Sequence, residues 1–255
     1  MMDSAIRVEG LKKSFGSQQV LRGVDLEIPR GAITVVIGRS GTGKSVLLKH
    51  LLGLVPPDEG RIEVGGQDLW KMRESGRRDL RARFGMVFQN AALFDSMDVF
   101  ENVAFPLREH SGWKEERIAA RVREVLASVG LSAAIHKLPS ELSGGMRKRA
   151  GLARALVRNP DYLLYDEPTT GLDPIMTAQI DALIRATQDQ HPGLTSVVIS
   201  HDMQATFRIA DRIAMLHEGR VILHEDREIF RQTDHPVVRQ FVEGRLEGPI
   251  QPDLR

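Results

Sequence analysis

Over the first thirty residues polar and apolar positions alternate (Ile6 and Val8, then Val24, Leu26 and Ile28), with glycines at 10, 16 and 23. That period of two, broken by glycine, predicts short antiparallel strands across residues 5–30. The pattern then changes. Ile33-Thr-Val-Val-Ile37 is a β-branched, mainly apolar run of buried-strand type, and Val46, Leu47, Leu48, Leu51 and Leu52 follow at helical spacing. A Pro-Pro turn at 56–57 precedes an edge strand over 61–64, and residues 84–88 form a further strand. Ile118, Val122, Val125, Leu126 and Val129 make one helical stripe with Gly130 placed as its C-cap, so residues 90–160 or so read as an inserted helical unit. The apolar segment 162–165 and Ser196-Val-Val-Ile-Ser200 predict two more buried strands, and 212–216 with 220–223 a hairpin. From Asp226 the chain turns polar, with prolines at 236, 249 and 252; it reads as a short helix over 237–242 and a loose tail. The whole is an α/β fold with an antiparallel β subdomain and an α-helical subdomain.

Composition narrows this picture only slightly. The 255 residues, 42% of them hydrophobic, suffice for one α/β domain with a subdomain or for two small domains. Thirty-five basic against 34 acidic side chains leave +1, which gives no electrostatic case for a nucleic-acid partner. No apolar run approaches the ~18 residues needed to cross a bilayer. The opening residues lack the basic-then-apolar layout of a signal peptide. The absence of cysteine excludes disulfides and thiolate metal sites and suits a reducing compartment.

The chemistry is concentrated between that first buried strand and the helix after it. Gly38, Arg39, Ser40, Gly41, Thr42, Gly43, Lys44 and Ser45 satisfy every specified position of the phosphate-binding loop G-x-x-x-x-G-K-[ST]. Glycines let successive N–H groups converge on one concavity, to which the helix adds its positive end. Lys44 then reaches the β- and γ-phosphates, and the Ser45 hydroxyl ligates Mg²⁺. Chance produces the bare pattern in roughly 1% of chains this long, so the motif alone is not decisive.

Later positions supply the rest. Phe15, in a turn ahead of the loop, is an aromatic face for a base, although a lone Phe more often simply packs. Gln89 ends a strand, where its amide oxygen can ligate Mg²⁺ or orient water. Ser143, Gly144 and Gly145 precede a helix over 147–158 and resemble a second anion site; Arg147, Lys148 and Arg149 either add charge there or form a solvated face. Asp166 and Glu167 end an apolar strand, with the aspartate placed to hold Mg²⁺ and the glutamate to accept a proton from water. His201 directly follows the strand at 196–200, at the end where α/β sheets bind ligands. The arginines at 73, 77, 78, 81 and 83, mixed with Glu74 and Asp79, read as a solvated face. Residues 91–100 are apolar for a loop, as at a partner surface, unless they pack on the neighbouring lobe.

In this order and spacing, the phosphate loop, Gln89, Leu142-Ser-Gly-Gly, Asp166-Glu167, the Gly171-Leu172-Asp173 loop and His201 resemble the ATP-binding cassette (ABC) ATPases over nearly the whole chain. The resemblance implies a P-loop NTPase with a RecA-like core, one cassette over residues 5–244, and a tail at 245–255. It also implies a head-to-tail homodimer with each ATP between one phosphate loop and the other subunit's signature segment. The expected nucleotide contacts are Phe15, Thr34, Gly38 to Ser45, Gln89, Ser143, Gly144, Gly145 and Asp173. Ser45, Gln89 and Asp166 are the expected Mg²⁺ ligands, and Glu167, His201 and Lys44 the catalytic groups. Two positions depart from the common pattern: Met146 stands where glutamine is usual, and Phe15 where tyrosine is frequent.

The segment from Phe88 to His110 and the methionine-ended signature are similar to the ATPases of MCE-type lipid transporters, particularly the Mla phospholipid system of Gram-negative envelopes. That likeness implies an integral-membrane permease docked after Gln89, an MCE-domain lipid-binding protein, a STAS-domain regulatory subunit on the helical lobe, and a place on the cytoplasmic face of the inner membrane. A tail contact with the second cassette also fits. Other readings are the ATPase of another importer or exporter, a soluble ABC ATPase acting on nucleic acid or ribosomes, and a nucleotide switch without turnover. The soluble class usually carries two cassettes or a long coiled coil, and the switch lacks a base such as Glu167.

Overall fold

The computed structural model describes residues 4–251. Two strands of unequal role come first: β1 (Ser4–Phe15) and β2 (Gln18–Pro29) pair antiparallel along twelve residues each. The expected breaks at Gly10 and Gly23 are absent. Both glycines sit within the strands at left-handed φ (+56° and +102°), where the ladder shifts register, so they act as bulges rather than turns. After β3 (Ile33–Ile37) and α1 (Lys44–Leu51) come β4 (Glu59–Val64) and the two-residue β5 (Gln67–Asp68). The small sheet runs β2-β1-β4-β5, so the strand expected at an edge is covered by β5.

The chain continues through α2 (Glu74–Arg81), β6 (Phe84–Val87), α3 (Val99–His110), α4 (Glu115–Ser128) and α5 (Gly144–Leu156). Next are β7 (Tyr162–Asp166), α6 (Pro174–Gln190), β8 (Thr195–Ser200), α7 (Met203–Ile209), β9 (Arg212–His217) and β10 (Arg220–Asp226), then α8 (Arg227–Gln232) and α9 (Pro236–Glu243). The large sheet has the order β10-β9-β3-β8-β7-β6, parallel apart from β10.

Burial follows the pleat. Ile33, Val35 and Ile37 enter the core shared with the helical lobe, whereas Val36 enters the core beneath the small sheet and α1. Leu163 and Tyr165 against Tyr162 and Leu164, and Val198 against Val197 and Ile199, divide the same way. A strand with apolar cover on both faces needs apolar side chains at successive positions, as 35–37, 162–165 and 197–199 supply. The helical lobe is fixed by the buried stripe Ile118, Val122, Val125 and Leu126, each side chain contributing about 1.5–3 kcal/mol on burial. Helix α4 ends where Gly130, at φ +71°, lets its N–H reach Ala127 O and the Leu131 N–H reach Leu126 O. An Asp98–Glu101 capping box starts α3.

The C-terminal region differs from a loose polar tail. Phe230 and Val238 are fully buried, which anchors α8 and α9 on the large sheet's core. The buried Gln240 amide then clamps the returning chain, donating to Ile250 O at 2.9 Å and accepting from Ile250 N at 2.6 Å. Arg39 Nη1 donates to Gln251 O at 3.0 Å, so this segment reaches its own chain's phosphate loop. Residues 252–255 of the expected tail, and residues 1–3, lie outside the described residues. Among the described residues, no helix is long and apolar enough to cross a membrane.

Candidate functional site

Because β3, β8 and β7 are neighbours in register, with Ile37 opposite Ser200 and Ile199 opposite Asp166, their carboxyl ends bring three sequence-distant loops to one crevice. Residues 38–43 turn between β3 and α1. Gly38, at φ +156°, passes so close to β9 that a Cβ would lie 2.3 Å from Leu216 O, and Gly43, at φ +102°, forms the left-handed N-cap of α1. Lys44 folds back along the loop, its Nζ donating to the Gly38 and Arg39 carbonyl oxygens at 2.8 Å each. Burial lowers its pKa from the ordinary 10.5, against the opposing pull of Glu167 and Asp166.

Facing the start of α1, Asp166 accepts from Ser45 Oγ at 3.3 Å. Burial raises the Asp166 carboxyl above its usual range, the Ser45 bond works the other way, and the charge of Glu167 adds to the rise. Glu167 stands at φ +48° and its N–H donates to Ile199 O at 3.1 Å. Its Oε2 accepts from Thr170 Oγ1 at 2.9 Å, and its Oε1 lies 3.3 Å from His201 Nδ1. Glu167, His201, Asp166, Ser45 and Lys44 are therefore brought together.

The remaining expected residues lie on other elements. Gln89 is exposed two residues beyond β6, and its carbonyl accepts from Lys148 Nζ on α5. Lys148 is buried, which lowers its pKa, while Glu167 pulls it up. The adjacent Ala91 and Ala92 hold left-handed φ (58° and 49°), and Arg154 donates to both carbonyls at 2.7 Å. Helix α5 starts earlier than expected. Gly144 and Gly145 form its first turn, and Ser143 is the N-cap, accepting from Met146 N at 3.3 Å. The Gly144 and Gly145 N–H groups are thus end-of-helix donors. Of the basic triplet, only Arg147 stays on the solvated face, bonding Leu142 O at 2.6 Å; Lys148 is buried on Gln89 O, and Arg149 is half-buried on Val129 O at 2.9 Å. Asp173 caps α6, its Oδ1 accepting from Ile175 and Met176 N–H at 2.9 Å. Phe15, at the end of β1, is 50% exposed, with Lys13 Nζ 5.6 Å from the ring centre. Nearby, Gln18, Arg22, Arg39, Ser40, Thr42 and His217 line a cavity of about 280 Å³ at the loop's rim.

Thr34 is a correction. It lies in β3 four residues before Gly38, about 13 Å along an extended strand, and is fully buried. Its hydroxyl finds no partner among the described residues, and it offers no surface to a ligand at the loop.

Residues 21–170 match the protein family described as ABC transporter. The chain belongs to that family. This ABC cassette is 45% identical over 249 residues, 98% of its length and 69% of the relative's, to the probable ribonucleotide transport ATP-binding protein mkl of Mycobacterium tuberculosis. It is 39% identical over 251 residues to the intermembrane phospholipid transport system ATP-binding protein MlaF of Haemophilus influenzae, covering 98% of this chain and 95% of MlaF. The dimeric structure of a post-hydrolysis state of the ATP-binding cassette MJ0796, bound to ADP and Pi, superposes with a TM-score of 0.78 at 29% identity, across 87% of this chain and 98% of that one. The ABC cassette is an α/β ATPase carrying an antiparallel β subdomain and helical elements, and it binds ATP.

The donor set fits a magnesium nucleotide. Ser45, Asp166 and the Gln89 amide offer hard oxygen ligands, and the described residues hold no cluster of three or more His, Asp or Glu able to cage an ion. Mg²⁺ favours such sparse sites, taking one or two carboxylates, waters and substrate phosphates. Sequence reasoning missed Thr170 as a Glu167 partner and Lys148 as an anchor for Gln89. Both arise from chain folding, and neither residue type announces itself.

Proposed function

We propose that this cassette powers phospholipid transport between the membranes of a Gram-negative envelope, maintaining outer-membrane lipid asymmetry. The observation that carries the reading is the likeness to MlaF along 95% of that protein, on a chain whose crevice holds the groups ATP hydrolysis requires.

In this reading residues 5–244 are one cassette with a helical subdomain over about 90–160, and 245–255 are a tail. Two copies form a head-to-tail homodimer. The loop N–H groups and Lys44 hold the β- and γ-phosphates, with Phe15 against adenine. Ser45, Asp166 and Gln89 would hold Mg²⁺, which neutralises charge gathering on the phosphate oxygens. Glu167, steered by Thr170 and His201, takes a proton from the water whose oxygen bonds to the γ-phosphorus as the bond to ADP breaks. From the opposite subunit, Ser143 and the Gly144 and Gly145 N–H groups close on the γ-phosphate, with Asp173 at the same interface. The Ser143 oxygen already accepts from Met146, which leaves its hydroxyl proton free to donate.

An apolar groove of about 370 Å³ lies next to Gln89, lined by Phe84, Met86, Phe88, Phe94, Phe105 and Pro106. Phe88 and Phe94 are exposed, while Leu93 and Phe100 pack on the core, so the 91–100 segment serves both as packing and as surface. Such a patch beside Gln89 suits a helix of an integral-membrane permease. An MCE-domain protein and a STAS-domain regulator complete the assembly, with the cassette peripheral on the cytoplasmic face of the inner membrane and no nucleic acid involved.

The name borne by mkl favours a second reading, a transporter with another cargo. Purification of the tagged chain from membranes in mild detergent, with mass spectrometry of companions, separates the two. A multi-span permease, an MCE protein and phospholipid are expected; a permease with nucleotide or other cargo and no MCE protein would overturn the phospholipid reading.

A further inference from the structure

Beside the apolar groove opens a second cavity of about 410 Å³, lined by Arg78, Asp79, Arg81, Ala82, His110 and Arg158; the last two are shared with the groove. The lining thus carries three arginines and one aspartate. Arg81 is held in place by Glu74 at 2.6 Å and by Gly53 O at 3.3 Å. Arg78 and Arg158 make no ion pair or side-chain hydrogen bond among the described residues. Their neighbours behave differently: Arg77 pairs with Glu74 and Arg83 with Asp161. Arg158 is moreover only partly exposed, a setting in which a cation gains from a counter-ion. Guanidinium forks match phosphate oxygens in pairs, and two unpaired forks in a concave site suit a group with three oxygens and up to two charges better than a lone carboxylate.

We propose that this pocket binds a phosphate ester. Two sources share that chemistry, the headgroup of an anionic phospholipid and a soluble ester such as glycerol 3-phosphate. The lipid source rests on the reading that the groove docks a membrane permease; the phosphate site itself does not.

The test uses the full chain loaded with ADP, so that the phosphate loop is filled. Glycerol 3-phosphate is titrated calorimetrically, and flotation is measured with phosphatidylcholine vesicles with and without phosphatidylglycerol. Arg78→Ala/Arg158→Ala is compared with a charge-matched control, Arg123→Ala/Arg220→Ala, which removes two exposed arginines elsewhere. The pocket variant is expected to bind about tenfold more weakly while the control stays near wild type. Loss confined to glycerol 3-phosphate identifies a soluble ester, and loss on phosphatidylglycerol vesicles identifies a headgroup. If the pocket variant matches the control in both arms, the proposal is overturned. It is equally overturned if neither probe binds while the pocket variant loses capture of the permease, since the pocket would then serve a protein carboxylate. Neither readout needs turnover or cargo, so failure of the transport reading leaves this result standing.

Discussion

His201 Nδ1 lies 3.3 Å from one oxygen of Glu167 while Thr170 Oγ1 donates to the other at 2.9 Å, so the carboxylate is gripped from two loops at the ends of β8 and β7. Its backbone is left-handed at φ +48°, a conformation costing a non-glycine residue about 1–2 kcal/mol. Such strain persists where surroundings over-determine it, as the Ile199 carbonyl and the two side-chain contacts do here. A simple strand-end turn needs none of this.

Thr170 is therefore a positioning residue. A hydrogen bond to a charged group is worth about 1.5–3 kcal/mol, so Thr170→Val is expected to lower kcat about tenfold or more with KM for ATP little changed. Thr170→Ser should restore most of the rate. Steady-state kinetics decide it, and an unaltered kcat would return Thr170 to turn-building through its N–H bond to Glu167 O.

Lys44 donates to two carbonyls of the phosphate loop from the first position of α1. Lys44→Ala should abolish productive ATP binding, as read by fluorescent-nucleotide titration. Retained wild-type affinity would remove Lys44 from the grip.

Asp166 carries a stability cost. Its pKa is raised in the fold, chiefly by burial, so ionisation weighs against the folded state. The penalty is fully present above the folded pKa and absent below the ordinary 3.8, where the carboxyl is protonated folded or unfolded. Asp166→Asn should raise Tm at neutral pH, lose that advantage as pH falls towards 3.8, and abolish Mg²⁺-dependent hydrolysis. A Tm gain that ignored pH would point to packing instead.

Phe15→Ala tests base stacking. Removing a base-stacking aromatic costs about 1–3 kcal/mol, so ATP affinity should fall roughly tenfold. Unchanged affinity would mean that the half-exposed ring merely packs.

The buried strands were legible because residues 33–37, 162–165 and 196–200 carry apolar side chains on both faces, with only Thr34, Ser196 and Ser200 polar, and ligand loops follow strand ends. Gly10 and Gly23 read as breaks because glycine punctuates turns and bulges alike. Thr34 lies near the end of β3 opposite the phosphate loop, with its side chain in the core, so being on the strand before the loop did not bring it to the ligand. Lys148 and Gln89 are 59 residues apart, so no local signal ties them. Helix α8 has six residues, too few for periodicity, and the segment to 251 is held by long-range contacts, the Gln240 amide on Ile250 and Arg39 on Gln251, that no local pattern announces.

The central claim is that Glu167 is the base of a nucleotide site completed by a second subunit. The most direct measurement is light scattering of Glu167→Gln with ATP and Mg²⁺ beside a phosphate-release assay. Hydrolysis is expected to fall 10²- to 10⁴-fold, with ATP doubling the mass from monomer to stable dimer and ADP failing to do so. Vigorous turnover by the variant, or a mass indifferent to ATP, would contradict it.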